Sequence, residues 1–364
     1  MIFWSGHYWD IARRGCPPSA LARHARVLTN FSGSPTIASP FSLSHTHHGF
    51  VANVTLAADF CNQPDLQGLN GIFVEPLTVS TTRFLTPVFG GSKLSVNNDI
   101  ILPAPMYWSA EPRFVGTEED AALPWKDKLD KAAWRGVATR GHNTEANWRA
   151  FHRHRFVAMN NGSALARAEN GGQAENFALP ACGYGLKARK QGHLGRWIDE
   201  WTDVRFIDLM CDEEQQAPWC NYTDPWFELA PPMTMAEQFR FKYLPDVDGN
   251  SFSGRYLGFL RSTSLPIKAT LWREWHDSRL VAWKHFVPMD NRYGDWYAIM
   301  EYFLGYHGKG GRDGIAERLA LAGREWASRV LRKEDMEIYV LRLLLEYARV
   351  SDDRRENMGW VEDL

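Results

Sequence analysis

Apolar and polar positions change their rhythm along this chain. Over residues 1–44 Gly, Pro, Ser and His are frequent and no period persists, which predicts irregular loops. Over 49–106, short apolar runs at 71–74, 85–89 and 99–102 alternate with turn residues, the pattern of a mixed α/β layer. Residues 112–128 are polar and acidic and contain Pro and Gly, which predicts an interdomain linker. Beyond it, predicted strands at 132–139, 203–210, 265–270 and 285–289 alternate with predicted helices at 144–159 and 252–261. That order favours a parallel, Rossmann-like sheet. Two helices close the chain: Asp313 is placed to cap one running to 331, and Met336, Val340, Leu344 and Tyr347 recur at roughly helical spacing over 334–350.

Length and composition narrow the class. At 364 residues the chain suits two domains, and 45% hydrophobic residues are enough to build their cores. Lys+Arg 41 against Asp+Glu 43 leaves a net charge of -2, so no basic field holds a polyanion along the surface. A nucleic-acid reading through the Arg153 region would require a steep salt dependence, which this balance argues against. No apolar run approaches the roughly 18 residues of a membrane span, and residues 1–14 lack the apolar core of a secretory signal. The cysteines and sequons point instead to a secretory lumen. None of Cys16, Cys61, Cys182, Cys211 and Cys220 shows CxxC spacing; Cys211 and Cys220 bracket a polar loop that a disulfide can close. Asn30, Asn53, Asn161 and Asn221 each open an N-glycosylation acceptor triplet.

The most informative chemistry lies at 242–255. A loop of small residues from Gly249 to Gly254 precedes an apolar helical stretch, so unpaired backbone N–H groups converge where a phosphate fits. Ser251 and Ser253 add hydroxyls, Asn250 an amide, and Arg255 a planar fork for phosphate oxygens. The plain alternative is a capped helix with Arg255 in an ordinary ion pair. Asp246-Val247-Asp248 offers a metal-binding pair, or one acid that hydrogen-bonds the loop or a ribose. A second cluster, 134–141, ends a strand with Arg135, Thr139 and Arg140 where open α/β sheets bind ligands; the alternative for Arg135 is an interdomain salt bridge. Arg153-His154-Arg155 reads as a solvated helix face, and His45, His47 and His48 as a surface loop rather than a metal site. Flat aromatic faces such as Trp272 and Trp275 suit sugar rings, although most tryptophans must pack in the interior.

Taken in order, several motifs resemble the capsule-associated-protein glycosyltransferases. They are Asn70-Gly71-Ile72-Phe73, Phe89-Gly90-Gly91-Ser92-Lys93, residues 99–103, Tyr107-Trp108, Trp134-Arg135-Gly136, residues 246–250, Ser253-Gly254-Arg255, residues 264–268 and His285-Phe286-Val287-Pro288. The chain is similar to fungal members of glycosyltransferase family 90, which includes the protein O-glucosyltransferases, from about Cys16 over nearly its whole length. The resemblance implies an α/β, GT-B-like fold of two Rossmann-like domains facing a cleft. Residues 1–125 would be the remnant of an incomplete N-terminal acceptor-side domain, 126–333 the nucleotide-sugar-binding domain, and 334–364 a helix crossing back to the first.

It further implies inverting transfer of xylose or glucose from UDP-xylose or UDP-glucose to a hydroxyl of a glycan or glycoprotein, in the Golgi or endoplasmic reticulum lumen. No permanently bound cofactor is implied, and this reading does not require a divalent metal. Matched position by position, Asn250 to Arg255 falls on the family segment that contacts the nucleotide diphosphate, with Arg255 on the family's essential arginine, and Arg135-Gly136 on a family Arg-Gly; with the candidates read from the residues themselves, the donor site comprises Arg135, Gly136, Thr139, Arg140, Asp248, Gly249, Asn250, Ser251, Ser253, Gly254 and Arg255. Val137 stands where the family has a donor-contacting serine. A further family arginine falls near Asn143, which leaves Arg140 or Arg149 as substitutes. The family's catalytic aspartate precedes the stretch that is here Cys16-Pro17-Pro18, and nothing before Cys16 matches its segment. An N-terminal truncation is therefore expected, with Asp99 the nearest acid in a matching motif. The alternative function is a non-catalytic nucleotide- or carbohydrate-binding remnant.

Overall fold

The computed structural model describes residues 8–76, 87–139, 141–210, 220–223 and 226–357. Five parallel strands form its central sheet: β1 (Leu129–Val137), β2 (Thr202–Asp208), β3 (Phe241–Val247), β4 (Leu265–Ala269) and β5 (Val287–Pro288). Their spatial order is β2-β1-β3-β4-β5. Trp134 pairs with Val204, Tyr243 with Leu265, and Ile267 with Val287. Every residue of β3 and β4 is buried, as parallel strands covered on both faces require.

Helices α1 (His152–Ala158), α2 (Gly162–Glu169) and α3 (Leu194–Trp201) lie between β1 and β2, and α4 (Tyr256–Arg261) joins β3 to β4. Then come α5 (Trp296–Leu304), α6 (Asp313–Val330) and α7 (Lys333–Ser351). On one face of the sheet Trp134, Phe156, Trp197, Phe206, Tyr243 and Trp296 share a buried cluster. On the other, Ala133, Leu244 and Phe259 form a smaller one.

Several boundaries differ from expectation, each for a local reason. The helix predicted over 144–159 begins only at His152, because the Asn147 side chain accepts the Thr144 N–H at 2.7 Å and turns the chain there. Asp313 does not cap α6 but is its first residue; its carboxylate takes the Trp125 indole N–H at 3.1 Å and Lys242 Nζ at 2.9 Å. Residues expected to form a linker instead make short helices at Pro112–Val115 and Glu118–Ala121, and buried Ala121 joins the smaller cluster.

The N-terminal part is also more ordered than its composition suggested. Tyr8–Ala12 and Leu21–His24 are short helices, and Cys16 is disulfide-bonded to Cys61. Trp9, Phe60 and Phe73 pack in one cluster with Leu271 and Trp272, so this part rests directly on the exit of β4. The ring cluster is reinforced by a buried ion pair, Arg292 to Asp65 at 2.7 Å.

Candidate functional site

Strand order reverses between β1 and β3, so the chain diverges beyond their carboxyl ends and leaves a crevice there. Thr139, Asp248 and Gly249 meet at that point, and Arg153 stitches them together. Its Nε donates to the Asp248 carbonyl at 2.7 Å, and its Nη1 to the Val137 carbonyl at 2.8 Å and the Thr139 hydroxyl at 2.7 Å. The expectation of a solvated basic face is therefore corrected: Arg153, His154 and Arg155 are 6%, 0% and 0% exposed. Arg155 donates to the carbonyls of Leu69 and Asn291, tying the N-terminal part to the loop after β5. His154 has no hydrogen-bond partner among the described residues, and burial pushes its pKa down to about 3.

The fold already uses several of the predicted donor residues. Arg135 is held by Asp203, with Nη2 at 2.7 Å from Oδ1, and by the carbonyls of Asp203 and Pro231. The salt bridge foreseen as its alternative thus exists, but between neighbouring strands rather than domains. Asp248 uses its carboxylate to accept the Thr270 hydroxyl at 2.6 Å and the Leu271 N–H at 2.9 Å, bracing the exits of β3 and β4. Arg255 is half-buried and makes no ion pair among the described residues. Its Nη1 donates to the Arg135 carbonyl at 2.6 Å and to Gln238 at 3.1 Å, while Nε and Nη2 make no hydrogen bond among the described residues. Burial draws its pKa below the ordinary arginine value, and Asp246 partly opposes that.

The loop between these groups is tightly placed. Gly249 N–H bonds the Ser251 carbonyl at 2.9 Å, and a Cβ on Gly254 would lie 2.4 Å from Met106 Sδ, so no larger residue fits there unchanged. Asn250 is exposed, Ser251 is half-buried and Ser253 is buried. The helix that follows begins only at Tyr256 and has six residues, shorter than expected, so its dipole adds little to the loop. Gly136 lies in β1 against the Trp134 ring, and Arg140 lies outside the described residues.

A cleft of about 520 Å³ lies beside this crevice, at the carboxyl ends of β4 and β5. Val51, Thr55, Ala58 and Lys93 line one wall, and Lys268, Thr270, Trp272, Glu274 and Asp277 the other. Beneath it is a buried charge cluster that the sequence reading did not assemble. Lys268 Nζ lies 2.9 Å from Asp246 and 3.4 Å from Glu274, and His276 lies 3.4 Å from Glu274. Burial disfavours the Lys268 ammonium, but Asp246, Glu274 and Asp248 outweigh it and raise its pKa. Burial likewise opposes the His276 proton, yet Glu274 and Asp277 raise that pKa to about 9. The Tyr107 hydroxyl donates to Glu274 at 3.1 Å. The run Trp272-Arg273-Glu274-Trp275-His276-Asp277 concentrates charges and rings locally, but only the fold brings Lys268 and Asp246 to Glu274.

The remaining candidates fall elsewhere. Asp246 and Asp248 turn to separate partners, and among the described residues no three His, Cys, Asp or Glu side chains are grouped to hold a metal ion. Asp99 is buried and does not line the cleft. His45, expected in a surface loop, is 1% exposed and lies 2.6 Å from Asp290, whereas His47 and His48 are exposed as expected. Arg149 pairs with Glu175 at 2.8 Å, and Asn143 binds the Leu209 carbonyl. Asn30 and Asn53 are exposed; Asn161 caps α2 through the Ala164 N–H at 2.9 Å; Asn221 belongs to a short 3-10 turn. Cys211 lies outside the described residues, and with it the predicted pairing to Cys220.

No helix among the described residues is long and apolar enough to cross a membrane. A sequence model of glycosyl transferase family 90 matches residues 222–358, a span that holds β3, the 248–255 loop, β4, β5 and the charged wall of the cleft. The chain is similar to that family over this span, and the similarity supports a glycosyltransferase that takes a sugar donor and an acceptor as its partners.

Proposed function

We propose that this protein is an inverting glycosyltransferase that moves xylose or glucose from a UDP-sugar to a hydroxyl of a glycan or protein. The observation that carries this is the place of the 248–255 loop: within the family-matched span, at the carboxyl end of β3, beside the reversal of strand order. In this reading the loop, Thr139 and Arg255, whose Nε and Nη2 make no hydrogen bond among the described residues, hold the donor diphosphate. An oriented guanidinium and backbone N–H donors stabilise the charge that grows on a departing diphosphate.

In this reading residues 126–333 form the donor half of a GT-B pair, and residues 1–125 with the C-terminal helix form the other wall. The contacts of Leu271 and Trp272 with the N-terminal cluster support it, as does the bond from the Tyr339 hydroxyl to the Ile101 carbonyl at 3.0 Å. The Cys16–Cys61 disulfide and the exposed Asn30 and Asn53 support an oxidising lumen such as the Golgi or endoplasmic reticulum.

Turnover tests the proposal. The chain is expected to release UDP from UDP-xylose or UDP-glucose, and not GDP or ADP from their sugar nucleotides, with the product sugar in the opposite anomeric configuration by NMR. Retention of configuration, or equal use of all the nucleotides, would refute it.

A further inference from the structure

Two cations share one face of the cleft. Lys93, from the N-terminal part, and Arg273, beyond β4, are antiparallel partners joined by two backbone hydrogen bonds, Lys93 N–H to the Arg273 carbonyl at 3.1 Å and Arg273 N–H to the Lys93 carbonyl at 2.8 Å. Residues directly opposite in such a pair put their side chains on the same face, and both line the cleft. Each is half-buried. Among the described residues the Lys93 ammonium makes no hydrogen bond or ion pair, and the Arg273 guanidinium reaches only the hydroxyl and carbonyl of Thr55, each at 3.4 Å. Like charges directly opposite one another destabilise a β pair, so an anion between them relieves a repulsion that the backbone enforces.

The two acids of the cleft lining do not supply that anion. Glu274 is held by Lys268 at 3.4 Å and the Tyr107 hydroxyl at 3.1 Å, while Asp277 accepts the Glu274 N–H at 3.0 Å and lies 3.5 Å from His276. The donor does not supply it either: in the transferase reading its two phosphates go to the 248–255 loop, and uracil, ribose and xylose or glucose are uncharged. The other ligand of a transferase is its acceptor, and the cleft adjoins the loop. Thr270, which lines the cleft, donates to Asp248 at 2.6 Å, and a Cβ on Gly91 would lie 3.4 Å from the Phe252 ring.

Resting on that reading, we infer that Lys93 and Arg273 bind a carboxylate of the acceptor, which is an acidic glycan carrying a uronic acid. The planar fork of Arg273 matches the two carboxylate oxygens, and Lys93 adds a point charge beside it. A neutral glycan of the same shape leaves the repulsion between the two cations in place, so the pair selects for the acid as well as binding it.

The test uses the full chain, with UDP in calorimetry and then cellobiouronic acid and cellobiose titrated by NMR into the UDP-loaded protein. The two disaccharides differ only in a carboxylate against a hydroxymethyl group. The parent is expected to bind the acidic one at least about tenfold more tightly, as a charged hydrogen bond provides, and the preference should shrink as salt is added. Lys93→Gln and Arg273→Gln should each cut the preference to about threefold or less, and Arg273→Lys should keep part of it, while the UDP Kd changes less than about twofold. Because backbone groups make the bridge, the urea midpoints of both Gln variants should stay at or above that of the parent. Equal binding of the two disaccharides by the UDP-loaded parent, or an unchanged preference in both Gln variants, overturns the acidic acceptor and leaves donor binding intact. Loss of UDP binding in the Gln variants puts the diphosphate at this pair and overturns it as well. A folded parent that does not bind UDP overturns the transferase reading, and this inference with it.

Discussion

Replacing Lys268 by methionine is expected to lower the stability of the protein by about 3–5 kcal/mol, the usual cost of removing one partner from a buried ion pair. The side chains of Lys268, Asp246 and Glu274 are 5%, 1% and 0% exposed, so the substitution strands two carboxylates away from water. The ammonium also lies 3.8 Å from the centre of the Tyr256 ring, a contact that methionine keeps only in its apolar part. The pKa of Lys268 is raised, so its contribution is complete below the unfolded value near 10.4 and is lost only as pH rises through the folded value.

His276 behaves differently within the same cluster. Its pKa is raised from 6.5 to about 9, so its contribution is full below about pH 6.5 and disappears as pH rises through about 9. Urea melts at pH 6.5 and pH 9 should therefore show the parent losing stability over that interval, and His276→Gln losing much less. The Lys268→Met deficit should shrink on acidification, because protonating the stranded carboxylates removes the uncompensated charge. Adding Asp246→Asn should recover part of it. A Lys268→Met variant within about 1 kcal/mol of the parent at neutral pH would show that the cluster is not a buried charge network.

The Cys16–Cys61 disulfide carries the second large effect. It closes a separation of 45 residues, for which loop-closure entropy gives about 4 kcal/mol. Both cysteines are buried, at 3% and 2% exposed, so a Cys16→Ala, Cys61→Ala double variant tests the cross-link without adding polar groups to the interior. Its urea midpoint should fall, and dithiothreitol should lower that of the parent but not of the variant. Function should suffer as well, because the closed loop contains Val51, Thr55 and Ala58 of the cleft wall. An unchanged midpoint would mean that the N-terminal part is held by its packing alone.

Four of the five strands were legible because short apolar runs between turn residues are what a buried parallel strand looks like. β3 was not. Lys242, Pro245 and Asp246 interrupt its apolar character, and only the fold supplies Asp313 and Lys268 to pair with its charges. The same failure explains Arg153-His154-Arg155: three basic residues in a row read as solvated until the carbonyls at the ends of β1 and β3 come within reach of Arg153. His45 waited likewise for Asp290, which lies 245 residues away.

The phosphate-sized loop was visible in advance because glycines and hydroxyls before an apolar stretch are a local pattern. Its engaged members were not, since the partners of Arg135 and Asp248 come from other strands. The Cys16–Cys61 bridge leaves no local signature at all, because nothing in the spacing of two cysteines that far apart tells them from the rest.

Calorimetric titration of the chain with UDP reads out whether the 248–255 loop and Arg255 receive a nucleoside diphosphate. A guanidinium hydrogen bond to a charged group contributes about 1.5–3 kcal/mol. Saturable binding is therefore predicted, weakened about 10- to 150-fold by Arg255→Ala and less by Arg255→Lys. A folded chain that does not bind UDP, or an Arg255→Ala variant that binds it as tightly as the parent, would show that this loop is not a diphosphate site.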